Sequence, residues 1–250
     1  MRLDKYLAQM SMGTRSEVKK FIKSGRVFVN GAPASGPEQK VTEEDNVELD
    51  GEKVSYEKYV YYIVSATKDN TCRTVLSLIT DSSKKDIFPV GRLDKDTEGL
   101  LLITNDGALS HELLAPGKHV WKTYFVRVMG TLGDNEVECL EKGVDIGEDK
   151  LTRPAKVRCL DKKELDMVPE DPGYPGEEES CLELSICEGK FHQVKRMLAA
   201  VGHPVLYLKR LSMGGIVLDP GLAPGEYRRL TQEEIAALKC RSKDIAGKCE

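Results

Sequence analysis

GRLDKDTEGLLLITNDG, residues 91–107, places a polar turn carrying Arg92 and Asp94 directly ahead of the apolar run Leu100, Leu101, Leu102 and Ile103. A short apolar run behind a glycine, here Gly99, has the length and punctuation of a buried strand rather than a helix. An arginine and a carboxylate therefore stand at the entrance to a sheet, and a rigid strand behind a polar loop is where a reactive carboxylate can be held in place. Other roles compete for Asp94. It can serve as a turn or capping residue, or as the partner of Arg92. The acids Asp94, Asp96 and Glu98 also imitate the opening of a calcium loop. A calcium loop closes on a bidentate carboxylate, and the corresponding position is Asn105, so calcium is rejected.

The 250 residues suffice for one large core, or for a small module plus a medium domain. With 31% charged residues and a mean hydropathy of -0.38 the chain offers no membrane-spanning run and no basic-then-apolar leader. Seven cysteines without CxxC spacing argue for reduced thiols and against structural zinc. A cytoplasmic protein away from membranes is expected. The net charge of -4 would discourage a polyanionic partner, but the charge is unevenly distributed. Residues 1–30 hold seven Lys or Arg against Asp4 and Glu17, whereas residues 31–60 hold three Lys against eight acids.

Along the basic head, Leu3, Tyr6, Leu7 and Met10 recur at helical spacing. Thr14-Arg-Ser-Glu17 has the form of a capping box, and Val18, Phe21 and Ile22 give the following helix an apolar face that Gly25 ends. Arg15, Lys19, Lys23 and the succeeding Arg26 fall in one sector beside that face. With Arg2, Lys5 and Lys20 they suit a phosphate backbone better than an ordinary solvated face. Val27 and Val29 alternate into the Asn30-Gly31 turn of a hairpin.

The remainder reads as mixed strands and helices. A strand is expected over 59–64, and a brief helix over 108–114 with Leu109, Leu113 and Leu114 inward. The strand WKTYFVRV (121–128) places Tyr124 on one face with Val126 and Val128. Residues 163–179, rich in acids, Pro and Gly, suit an inserted loop. Leu182, Leu184 and Ile186 alternate before EGKFHQVKRM (188–197), where the period turns helical through Val194, Met197, Leu198 and Val201 and stops at Gly202. Between 189 and 218 Lys190, Lys195, Arg196, Lys209 and Arg210 occur without an acid. They form a second basic cluster, in which Lys190 and Lys209 suit solvated positions equally well. A lone His192 is weak evidence for a general base, and contact or scaffolding suits it better. A last helix is expected over 232–238, with fraying from Lys239.

The 91–107 segment resembles the signature of the pseudouridine synthases, most closely the branch that modifies small-subunit ribosomal RNA. RLDKYLA, the capped basic helix and GRVFVNG look like an S4-type RNA-binding module covering about residues 1–50. The resemblance implies that Asp94 is the nucleophile. It implies that Tyr124, through Lys122-Thr-Tyr124, lies against the target base, and that Lys195 in EGKFHQVKRM pairs with Asp94. Many relatives carry arginine there, and lysine keeps the charge but not the forked geometry. Arg92, two residues before the nucleophile, would fill the gap left by a flipped uridine, and Gln193 and Arg196 complete the expected substrate contacts. One departure stands out. Relatives usually carry Asn-Lys-Pro-x-Gly after the first strand of the catalytic domain, where this chain has Ser65, Ala66, Thr67 and Lys68.

The expected fold is α+β. An S4-like helix-and-hairpin module (1–52) and a linker (53–58) precede a catalytic domain (59–240) whose mixed, largely antiparallel sheet is flanked by helices, and a frayed tail follows (241–250). The expected activity is isomerisation of a uridine in small-subunit ribosomal RNA, with neither cofactor nor metal. The expected partner is ribosomal RNA or an assembling ribosomal subunit, and the protein is expected to be a monomer. A large-subunit RNA enzyme and a non-catalytic assembly factor are the alternatives. A retaining glycosidase would want two carboxylates flanking a sugar bond, and no clear acid partner is present.

Overall fold

In the computed structural model, which describes residues 1–54, 57–68, 75–80, 86–161 and 179–244, helix α1 (Leu3–Gln9) turns Leu3, Tyr6 and Leu7 into a small core. The Tyr6 hydroxyl donates to the Val54 carbonyl at 2.8 Å. Helix α2 (Arg15–Lys23) starts at the predicted capping box, with the Glu17 amide donating to Thr14 Oγ1 at 3.3 Å and the Thr14 amide to Glu17 Oε2 at 2.7 Å. Strand β1 (Val27–Val29) pairs with β2 (Ala32–Pro33) across Asn30 and Gly31, both at positive φ, as a tight hairpin turn requires. Strands β3 (Val47–Leu49) and β4 (Glu52–Lys53) complete an antiparallel sheet in the order β2-β1-β3-β4. These elements belong to a unit comprising Met1–Val60 and Ile79–Phe88; Tyr61–Leu78 and Pro89–Glu250 make the second.

The second unit continues with β5 (Tyr61–Ala66), then β6 (Phe88–Pro89) at the boundary between the units, β7 (Glu98–Thr104), α3 (Gly107–Leu114), β8 (Lys122–Met129), α4 (Asp134–Lys142), β9 (Lys156–Cys159) and β10 (Glu179–Ile186). It ends with α5 (Gln193–Ala200), β11 (Val205–Met213), β12 (Ile216–Val217), β13 (Tyr227–Arg229) and α6 (Gln232–Asp244). The main sheet runs β13-β5-β7-β11-β8-β10-β9. Along that path the β7–β11 pairing is parallel and the others antiparallel, so the sheet is mixed and largely antiparallel as expected. Val126, Val128, Leu182 and Leu184 on one face pack with Met197 and Leu198 of α5 and Leu140 of α4, all at 0% exposure. Burial of this kind stabilises by about 25 cal/mol per Å² of apolar surface.

Gly99 is required where β7 meets β11. Its φ is +98°, and a Cβ there would lie 2.3 Å from the Arg210 carbonyl oxygen. The contact brings the start of β7, and the Asp94 turn ahead of it, close over β11.

Several expectations need correction. The first strand is Tyr61–Ala66 rather than 59–64, with Ser65 opposite Leu100 and Ala66 opposite Gly99. Where relatives are expected to turn, this chain therefore continues its strand. The linker cannot begin at 53, because Lys53 pairs with Glu48 and the Val54 amide donates to the Val47 carbonyl at 2.8 Å. Leu114 is 43% exposed, unlike Leu109 and Leu113 at 5% each, and lines the cleft that also holds Asp94. Lys209 and Arg210 lie inside β11 at 8% and 2% exposure, away from bulk solvent. Helix α6 runs on to Asp244, past the expected end at Leu238. The rest of the tail and nearly all of the acidic stretch 163–179 fall outside the described residues.

Candidate active site

Ahead of β7 the Thr97 amide donates to the Asp94 carbonyl at 3.0 Å, closing a turn over Lys95 and Asp96 that presents Asp94 with its side chain 30% exposed. Opposite, α5 begins at His192, whose φ of 48° reverses the chain out of β10. Lys195, in the first turn of α5, extends its ammonium to 3.4 Å from Asp94 Oδ2, and His192 Nε2 lies 3.5 Å from Oδ1. Lys195 also donates to Asp96 Oδ1. That hydrogen bond holds the Asp96 carboxyl below the usual carboxylate range. One ammonium thus bridges two carboxylates of a single turn.

Asp94 lines a cleft of about 690 Å³, together with Arg92, Lys122, Tyr124, Phe191 and His192. Tyr124 is 9% exposed and shares a core cluster with Val126 and Val128, the face read from alternation. Arg92 is exposed and has no hydrogen-bond or ion-pair partner among the described residues. Phe191 is 74% exposed, and its ring stacks on His192 at 3.8 Å and 19°. The Lys122 ammonium donates to the Glu188 carbonyl at 3.2 Å. Burial pushes its pKa down, and the positive charge of Arg210 adds to the effect.

The remaining expected contacts are occupied differently. Gln193 lines the cleft but is 4% exposed, and its amide bridges Glu188 Oε1 at 2.6 Å and the Lys190 amide at 2.9 Å. It holds the β10–α5 connection together. Arg196 binds Glu148 Oε1 at 2.7 Å and the carbonyls of Phe191 and Ile146, and lies outside the cleft lining. In the first unit Lys5, Arg15, Lys19, Lys20 and Lys23 are exposed. Arg2 is paired with Asp4 at 2.9 Å, and Arg26 with Asp50 at 2.5 and 2.7 Å.

Sequence reasoning did not assign Asp96, Lys122, Phe191, His192 or Arg210 to this site. Two of them had a legible signal. Lys122 is two residues before Tyr124 in a strand, hence on the same face, and Arg210 stands two residues after the core residue Leu208. Asp96 is two residues from Asp94 in the same turn, whereas the approach of His192 to the site needs the fold, since residues 94 and 192 are far apart in sequence.

The sequence profile of the family described as RNA pseudouridylate synthase matches residues 53–200, and that of the S4 domain matches residues 1–47. This chain belongs to the RNA pseudouridine synthases. Within that family it is 44% identical to an uncharacterized RNA pseudouridine synthase of Bacillus subtilis, over 95% of this chain and 98% of the relative. It is 36% identical to the ribosomal small subunit pseudouridine synthase A of Escherichia coli, over 95% and 100%. A crystal structure of a pseudouridylate synthase superposes with a TM-score of 0.62 at 33% identity, over 95% of this chain and 99% of the other.

Proposed function

We propose that this protein isomerises a uridine of small-subunit ribosomal RNA to pseudouridine, with Asp94 as the carboxylate that drives the reaction. The supporting observation is that Asp94 faces a cleft shared with Tyr124 while Lys195 and His192 approach its two oxygens. The small-subunit assignment draws on the likeness to the Escherichia coli enzyme along nearly the whole chain.

The reaction breaks the bond from ribose C1′ to N1, turns the base and rejoins it through C5. The proton lost from C5 is balanced by one gained at N1. Asp94 supplies the negative charge beside C1′, with the Lys195 ammonium 3.4 Å away as its counter-ion. Tyr124 presents a flat face to the detached base. Arg92, unpartnered at the rim, enters the space that the flipped nucleotide vacates. The exposed Lys5, Arg15, Lys19, Lys20 and Lys23 of the S4 unit bind RNA backbone, which positions the enzyme without reading sequence.

Pseudouridine mapping of small-subunit ribosomal RNA from cells lacking the protein tests this reading, with rescue by wild type or by Asp94→Asn. One site should vanish and return only with wild type. Full rescue by Asp94→Asn removes Asp94 from the chemistry. An unchanged map with wild-type-dependent defects in subunit assembly favours an assembly factor.

A further inference from the structure

The Asp94 cleft contains a second charged feature that Asp94, Lys195 and Tyr124 leave unused. Arg210 stands opposite Tyr124 in the β11–β8 pairing, so the two side chains share a face of the sheet. Leu208, two residues earlier on that face, belongs to the core cluster that includes Tyr124, and Arg210 continues the row into the cleft lining. Its residue exposure is 2%, and its Nε donates to the Leu100 carbonyl at 2.7 Å. Its Nη2 is buried with no hydrogen-bond partner among the described residues. No carboxylate pairs with it there either. Thr97, 4% exposed and also lining the cleft, has a buried Oγ1 with no partner among the described residues. Lys122, on the Tyr124 face of β8, brings a second, half-buried cation, whose ammonium has, among the described residues, only a neutral carbonyl as its hydrogen-bond acceptor.

Burying a guanidinium without a counter-ion is costly. Packing does not require this arrangement, since a Met of similar length would fill the space without the charge. Two cations on the Tyr124 side of the cleft, with the Thr97 hydroxyl lining it from the Asp94 turn, suit an anion that arrives during the reaction. The reaction makes one. When the C1′–N1 bond breaks, its electron pair leaves with the base, and the negative charge spreads over N1, O2 and O4 of the detached uracil. We propose that Arg210, assisted by Lys122 and the Thr97 hydroxyl, binds the oxygens of that anionic uracil, stabilising it as it leaves and holding it while C5 turns toward C1′. The inference rests on the pseudouridine synthase reading of the site. It adds an anion-binding floor opposite the nucleophile, so that cleavage is favoured from both ends of the breaking bond.

Leaving-group acidity separates this role from a structural one. Transcripts of small-subunit ribosomal RNA are made with uridine or with 5-fluorouridine, whose fluorine itself stabilises negative charge on the base. C5 of that base carries no proton to lose, so reaction on both RNAs is followed as loss of the starting nucleoside in single turnover. Arg210→Met should slow cleavage of the uridine RNA about 10²- to 10³-fold, with RNA affinity within about threefold of wild type. The same variant should lose at least about tenfold less on the fluorinated RNA, because the substrate then supplies part of what Arg210 provides. Arg210→Lys should recover part of the rate. Should Arg210→Met fail to fold, Arg210→Lys and Lys122→Met carry the same two-RNA comparison, each with a smaller deficit on 5-fluorouridine. Equal deficits on both RNAs, or a loss that follows RNA affinity, overturn the proposal. Wild type inactive on both overturns the functional reading beneath it.

Discussion

Lys195 is the residue whose placement carries the most consequence, because it is shared. Its ammonium bridges Asp94 and Asp96, and an ammonium, unlike a guanidinium, cannot offer each of them a matched fork. Replacing Lys195 by Met should lower single-turnover pseudouridine formation about 10²- to 10³-fold while leaving RNA binding within about threefold. Asp96→Asn removes only the competitor, and the rate should stay within about threefold. The pH dependence follows from the direction of the Asp96 shift. A carboxyl held below its ordinary value keeps its pairing above that value and loses it only as pH falls through the lowered one, so the Asp96–Lys195 contact persists down to about pH 4. An acid limb in the rate between about pH 5 and 7 therefore belongs to another group, and rate–pH profiles of wild type and Asp96→Asn should coincide there. A limb that moves with Asp96→Asn would show that Asp96 sets the charge of the site.

At the scale of the element, the parallel pairing of β7 with β11 positions both ends of the cleft, and it depends on Gly99. Ala at this position would need a left-handed φ and would drive Cβ to 2.3 Å from the Arg210 carbonyl oxygen. Gly99→Ala should cost more than about 3 kcal/mol in urea unfolding of the full chain. Stability within about 1 kcal/mol of wild type would show that the strands can part without loss. The nature of β7 was legible from Leu100 to Ile103, since four apolar residues behind a glycine have few other uses. The capping box of α2 and the Asn30-Gly31 hairpin were legible for the same reason, because each is specified by residues within a few positions of one another. Local signals failed where distant pairing decided the outcome. Ser65 and Ala66 extend β5 because Leu100 and Gly99 lie opposite them, and Lys209 and Arg210 are buried by the strands on either side of β11. The site divides in the same way. Asp94 and Tyr124 could be singled out from short motifs, and Asp96 is a sequence neighbour of Asp94, whereas the company of His192 and Arg210 depends on contacts between distant segments.

Across the whole molecule, a net charge of -4 conceals a division of labour. In the proposed function the cations of the cleft face a single nucleotide, while the exposed row Arg15, Lys19 and Lys23 on α2, which has no ion-pair partner among the described residues, tracks phosphates. Arg26 extends that row in sequence, but its guanidinium is forked on Asp50 and lies 4.3 Å over the Phe21 ring, so it is better suited to holding the first unit together. Displacing condensed counter-ions makes RNA affinity fall with salt, by roughly 0.7 to 0.9 in logarithmic slope for each phosphate neutralised. Changing Arg15, Lys19 and Lys23 together to Gln should therefore flatten the log–log salt dependence by about 2 to 3 and raise KM, with kcat nearly unchanged at saturating RNA. The single change Arg26→Gln should hardly alter that slope and should instead lower the stability of the first unit. Filter-binding titrations from low to physiological salt read the slopes directly. An undiminished slope in the triple variant would move the phosphate contacts off α2, whereas a fall in kcat matching the fall in affinity would mean that the basic helix takes part in chemistry as well as in positioning.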